Sequence, residues 1–172
     1  GNVPDGVIVK DGNEILDKSE IFRYKNGSVS AFSNLFRFTL LHKKGGYWVD
    51  TDIICVKPFK FDEEIVIICE PSENYSQNLI TSCFIKLPPQ SDITRKAIKI
   101  QRIHKQMILD GRMRWSSGPM TVKELVKMFK LYNYVKPWKT VCSCCWNQHR
   151  SLLDTSYKPS PHIISKPQEI PE

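Results

Sequence analysis

SNLFRFTLLHKKGGYWVDTD, residues 33–52, changes its period part-way, and that change decides the fold. Apolar side chains recur at helical spacing as Val29, Phe32, Phe36 and Leu40, and Gly45-Gly46 then stops the helix, because glycine takes the positive-φ backbone of a helix end without a Cβ clash. Ser28 is the expected N-cap. The opposite face carries Ser30, Ser33, Asn34 and Arg37, a polar stripe on a helix that is otherwise apolar. Tyr47 to Asp50 then predicts a short strand, which delivers Asp50 and Asp52 at spacing i, i+2. On an extended chain that spacing projects both carboxylates to one side.

Outward from this stretch the pattern alternates. Val7–Lys10 predicts a short strand, Ile21–Tyr24 an extended piece, and Asn26-Gly27 a break before the helix. After the aspartates, Ile53–Val56, Glu64–Cys69 and Leu79–Leu87 predict buried strands bounded by turn residues. Ser91–Asp110 predicts an amphipathic helix ending at Gly111. Thr121–Leu131 predicts a shorter helix whose Thr121-Val-Lys-Glu124 fits a capping box, with Pro119 just ahead. Interleaved strands and helices place the chain in the α/β class. Residues 1–154 form the expected domain. Residues 155–172, with Pro159, Pro161, Pro167 and Pro171 and no periodicity, form an extended tail.

With 172 residues and 41% hydrophobic content, the chain can bury a core of its own. No run approaches the roughly 18 apolar residues of a membrane span. The formal net charge of +7 favours acidic partners such as nucleotide diphosphates or anionic headgroups, so peripheral membrane contact is compatible with it. Basic residues are not interleaved with stacking aromatics, which argues against a nucleic-acid binder. The six cysteines do not form a short secreted disulfide framework, so a reducing, cytoplasmic setting is expected, with a Golgi lumen as the alternative for an anchored protein.

Two aspartates so spaced suit a divalent cation such as Mn2+ or Mg2+, which prefers hard carboxylate oxygens. Such a cation can neutralise charge developing on a departing diphosphate. The arrangement from Ala31 to Arg37 and on through Gly45 to Asp52 resembles the DXD-containing sugar transferases of the GT-A superfamily. Within these it is most similar to the capsular-polysaccharide and alpha-mannosyl or alpha-galactosyl transferase group, glycosyltransferase family 32-like, including versions in large DNA viruses. The likeness is strongest over Ser30–Pro58. Further on, Trp115-Ser-Ser-Gly-Pro119 looks like the small-Gly-Pro loop bordering that family's sugar pocket.

The resemblance implies a GT-A-like nucleotide-diphospho-sugar transferase fold, a mixed sheet flanked by helices, here without the family's first βα unit. It implies transfer of a sugar, with retention of configuration, from a nucleotide-diphosphate sugar to a glycan, glycoprotein or other hydroxyl acceptor. Asp50, Asp52 and Arg37 would be catalytic, and Ser30, Ser33, Asn34, Arg37, Tyr47, Asp50, Trp115, Ser117, Gly118 and Pro119 would bind substrate. Asp52 and Asp50 would hold the metal, joined by His162, whose Pro161-His162-Ile-Ile setting partly echoes the family's C-terminal metal segment. Where the family carries Ser-Asp this chain has Ser33-Asn34, an amide that hydrogen-bonds hydroxyls without charge. That departure and the missing first unit make a non-catalytic relative that binds a glycan or partner the alternative reading.

Cys142, Cys144, Cys145 and His149 could supply four zinc ligands, but adjacent Cys144 and Cys145 lack the usual gap between paired thiols, which favours a buried or disulfide-forming cluster. His42, at a helix end, and His104, on a basic helix, read as structural or solvent-facing.

Overall fold

The computed structural model describes residues 3–53, 58–71, 78–113 and 117–140. Within them lie three helices, α1 (Ser30–Lys44), α2 (Asp92–Leu109) and α3 (Ser117–Met128). Four strands accompany them: β1 (Gly46–Val49), β2 (Val66–Pro71), β3 (Asn78–Leu87) and β4 (Val135–Lys136). The strands form one mixed sheet in the order β1-β3-β2-β4. β3 pairs antiparallel with β1 and β2, while β4 runs parallel to β2. This is the expected α/β class.

All three helices lie on one face of the sheet. Phe38 and Leu41 of α1, Ala97 and Ile100 of α2, and Val122 and Leu125 of α3 pack with Ile67, Ile85 and Leu87 of the strands. The opposite face is covered by the segment holding Phe59 and Phe61, which packs with Tyr47, Val66, Ile68 and Phe84. Phe38 is wholly buried, and truncating such a side chain to alanine costs about 3–5 kcal/mol.

The turn from α1 to β1 follows the glycine reading. Gly45 has φ +66°, and a Cβ there would sit 2.9 Å from the Pro89 nitrogen and 2.6 Å from its Cδ, so both conformation and space demand glycine. α1 begins at Ser30 rather than at a Ser28 cap. The N-cap is Val29, whose side chain cannot accept a hydrogen bond, and Ser28 Oγ instead accepts from the Ser30 amide at 3.2 Å. The buried stripe of α1 is Ala31, Leu35, Phe38 and Leu41, one step from the expected one. Phe32 and Phe36 flank it because they pack sideways on Phe22 and Trp48.

Two further expectations fail. Val7–Lys10 forms no strand, and Ile8 and Val9 are exposed. α3 begins at Ser117, four residues before the expected Thr121 cap. Thr121 lies inside the helix and donates its hydroxyl to the Ser117 carbonyl at 2.8 Å, the back-bond open to threonine in mid-helix. Ser91 does cap α2, accepting from the Thr94 amide at 3.2 Å.

Between the pairs Ile67–Ile85 and Cys69–Ile80, the single residue Ile68 stands opposite Thr81, Ser82, Cys83 and Phe84 of β3. Such a bulge re-aims side chains, and here it brings Ser82 beside α1 and α3. Among the described residues no helix is long and apolar enough to cross a membrane.

Candidate active site

The polar stripe of α1 turns inward. Arg37 is only 4% exposed, because α1 packs this stripe against the end of β1 and the start of α3. Its Nη2 donates to Asp50 Oδ1 at 2.8 Å, and its guanidinium lies 4.8 Å from the centre of the Trp48 ring. Trp48 and Asp50, two residues apart on an extended chain, share a side, and Trp48 Nε1 donates to the same Oδ1 at 2.5 Å. One oxygen of Asp50 therefore carries two donors. Burial pushes the Arg37 pKa below the ordinary arginine value, while the Asp50 carboxylate pulls it back up. The guanidinium stays charged at any working pH. Its Nε and Nη1 are buried without a partner among the described residues.

Opposite this pair stands the first turn of α3, held by a hub at Ser117. Asn34 Nδ2 donates to Ser117 Oγ at 2.9 Å, and the Tyr24 hydroxyl reaches the same oxygen at 3.4 Å. The Ser117 carbonyl accepts from Gln101 Nε2 at 2.9 Å as well as from Thr121. Gly118 passes so close to α1 and β3 that a Cβ would fall 2.5 Å from Asn34 Oδ1 and 2.6 Å from Ser82 Oγ.

Between these walls lies a cleft of about 490 Å3, within the range of ligand pockets. Of the residues singled out in sequence, Ser30, Ser33, Asn34, Arg37, Asp50, Asp52, Ser117, Gly118 and Pro119 line it, although α3 lies far along the chain from α1 and the turn after β1. Ser117–Pro119 do so as a helical turn rather than as the expected loop. Tyr47 does not line the cleft. Alternation along β1 sends its ring to the other face, 5.5 Å from Phe59 and 5.7 Å from Phe84. Trp115, His162 and the Cys142–Cys145 cluster lie outside the described residues.

Sequence reasoning missed Tyr24, Trp48, Thr51 and Ser82, which also line the cleft. Trp48 was legible in principle, since strand alternation places it on the side of Asp50. Ser82 depends on the bulge, which no local pattern announces. His104 is buried rather than solvent-facing, with Nδ1 3.5 Å from the Thr121 hydroxyl. His42 bonds Thr94 Oγ1 at 2.8 Å, a structural contact. Cys69 is buried and Cys83 partly buried, and neither forms a disulfide among the described residues.

Among the described residues no three His, Cys, Asp or Glu side chains converge as a ready-made metal site. The Asp52 carboxylate is exposed and has no partner among them, whereas Oδ1 of Asp50 is already engaged. That donor set suits a cation completed by substrate oxygens and water, the habit of Mg2+ and similar ions at phosphate sites.

The comparison with protein families falls on this region. Residues 5–73 match the family described as a glycosyltransferase sugar-binding region containing a DXD motif. Asp50-Thr51-Asp52 is the one Asp-x-Asp triplet in the matched segment, which spans α1, β1 and β2 but stops before α3. No curated protein and no solved structure matches the chain. The match points to nucleotide-sugar transfer, and the cleft is built where its Asp-x-Asp triplet falls.

Proposed function

We propose that the cleft binds a nucleotide-diphosphate sugar and that the chain, with a GT-A-like fold, transfers the sugar to a hydroxyl acceptor with retention of configuration. The observation that carries the reading is the meeting of Arg37, Asp50 and Asp52 with Ser117–Pro119 in one cleft, with the DXD family match over the first three. Asp52 would hold Mn2+ or Mg2+. Asp50, its orientation fixed by Arg37 and Trp48, would leave its second oxygen for a sugar or ribose hydroxyl. The ion, when bound, offsets negative charge on the departing diphosphate.

The remaining work falls to the chain's own side chains. The guanidinium of Arg37, which lines the cleft and bonds Asp50, would turn its positive charge toward the diphosphate of the donor substrate, an attraction that gains strength in so buried a site. Ser30, Ser33 and Asn34 add neutral groups suited to sugar hydroxyls. Apart from Asp50 and Asp52, no carboxylate or histidine lines the cleft among the described residues, so a dedicated general base is lacking there. Retention fits this: the acceptor oxygen bonds the anomeric carbon as its bond to the diphosphate oxygen breaks, and the acceptor proton passes to that leaving oxygen. A glycan or glycoprotein hydroxyl is the proposed acceptor.

The test is hydrolysis and transfer across a panel of nucleotide sugars with Mn2+, comparing the native chain with Asp52→Ala. The proposal expects ion-dependent turnover that Asp52→Ala abolishes, with the product anomer matching the donor by NMR. Unchanged turnover in Asp52→Ala would refute it. Because Asn34 stands where a carboxylate is expected, binding without turnover over the whole panel would favour the non-catalytic reading instead.

A further inference from the structure

Gln101 of α2 never touches the cleft, yet it grips the element that closes it. Its side chain is only 1% exposed, and Nε2 donates both to the Ser117 carbonyl at 2.9 Å and to Thr121 Oγ1 at 2.8 Å. Its own carbonyl, Oε1, is buried with no partner among the described residues. A buried acceptor left unmet opposes folding, so an apolar side chain of similar length would serve stability as well or better. The groups Gln101 bonds do not depend on it for satisfaction. Without it the Ser117 carbonyl would still accept from Thr121 Oγ1 at 2.8 Å, and the Thr121 hydroxyl would still have its acceptor.

An amide that leaves one of its own polar atoms unmet, while adding a second bond to a carbonyl already served, is better explained by position than by stability. We infer that Gln101 is a positioning residue, which fixes the first turn of α3 so that Ser117 and Gly118 hold their places against Asn34 and Ser82 at the wall of the cleft. The contact is long in sequence, joining residue 101 to residue 117, and direct in space. It couples the packing of α2 on the sheet to a cleft wall that lies outside the matched segment. The effect on donor binding rests on the proposed sugar-nucleotide reading; the effect on α3 does not.

Gln101→Met keeps the length of the side chain and removes both amide atoms. Thermal melting should show a midpoint equal to or above that of the native chain, while hydrogen exchange at the Thr121 and Val122 amides, whose helical acceptors are the Ser117 and Gly118 carbonyls, should quicken. Donor affinity, read by calorimetry with a nucleotide sugar and Mn2+, should weaken about three- to tenfold through the displaced wall, with kcat within about twofold. A lowered melting midpoint with unchanged local exchange would make Gln101 an ordinary stabilising residue and overturn the inference. Quickened exchange at Thr121, in a chain whose native form binds no nucleotide sugar, would uphold the positioning role and sink the sugar-nucleotide reading instead.

Discussion

Gly118→Ala tests how tightly the cleft wall is built. The added methyl would sit 2.5 Å from Asn34 Oδ1, 2.6 Å from Ser82 Oγ and 2.9 Å from Asn34 Cγ, all closer than real Cβ contacts. Ser82 can turn its hydroxyl away about χ1. Asn34 cannot yield so simply, because it is buried and its Nδ2 is engaged with Ser117 Oγ at 2.9 Å. Overpacking of this kind costs about 1–3 kcal/mol, and loss of the Asn34–Ser117 bond adds about 1 kcal/mol. The better helix propensity of alanine returns at most about 1 kcal/mol. The net expectation is a destabilisation of about 1–3 kcal/mol, or a melting midpoint about 3–9 °C lower for a chain of this size. Urea or thermal denaturation measures it. In an Asn34→Ala background the same substitution should cost about 1 kcal/mol less, because the clashing amide is gone, and a double-mutant cycle isolates that coupling. A Gly118→Ala chain as stable as the native one, or a coupling near zero, would refute the packing argument.

Arg37→Met should abolish donor binding and cost about 1–3 kcal/mol of stability; the loss is moderated because Asp50 is 31% exposed and water can solvate it, and calorimetry with denaturant titration reads both effects. Trp48→Phe removes one donor from Asp50 and should weaken donor binding about two- to tenfold while the chain stays folded, measured by the same titration. Burial holds the pKa of His104 below its ordinary 6.5, against the opposing pull of Glu124 and the Ser117 backbone. The unfolded chain therefore takes up the proton first as pH falls, so stability should drop progressively below about pH 6.5 until the folded pKa is passed, and His104→Gln should flatten melting curves over that window.

How much of this was legible in the chain depends on the range of the interactions. The helix stop at Gly45-Gly46, the strand after it and the paired aspartates were readable because each rests on local backbone chemistry and period. The polar stripe of α1 was readable as a stripe, but its depth was not. Arg37 is buried by β1 and α3, and only tertiary packing reveals that an arginine beside Phe36 and Phe38 points inward. Tyr47, named as substrate-binding through the family resemblance, lies off the cleft because strand alternation, already present in the sequence, sends its ring to the opposite face. The start of α3 was missed because Thr121-Val-Lys-Glu124 imitates a capping box, whereas Pro119 is tolerated in the first helical turn, where its missing N–H costs nothing. Ser82, Gln101 and Tyr24 owe their places to a bulge and to contacts long in sequence, which no window of the chain displays.

The central claim is that Asp50 and Asp52 form a cation-dependent donor site together with Arg37. Calorimetric titration of the native chain with UDP-glucose and with GDP-mannose, each in the presence and absence of Mn2+, tests it most directly. The account predicts saturable binding of at least one of them that requires the ion and vanishes in Asp52→Ala. Binding of equal strength with and without Mn2+, or binding that survives Asp52→Ala unchanged, would contradict it.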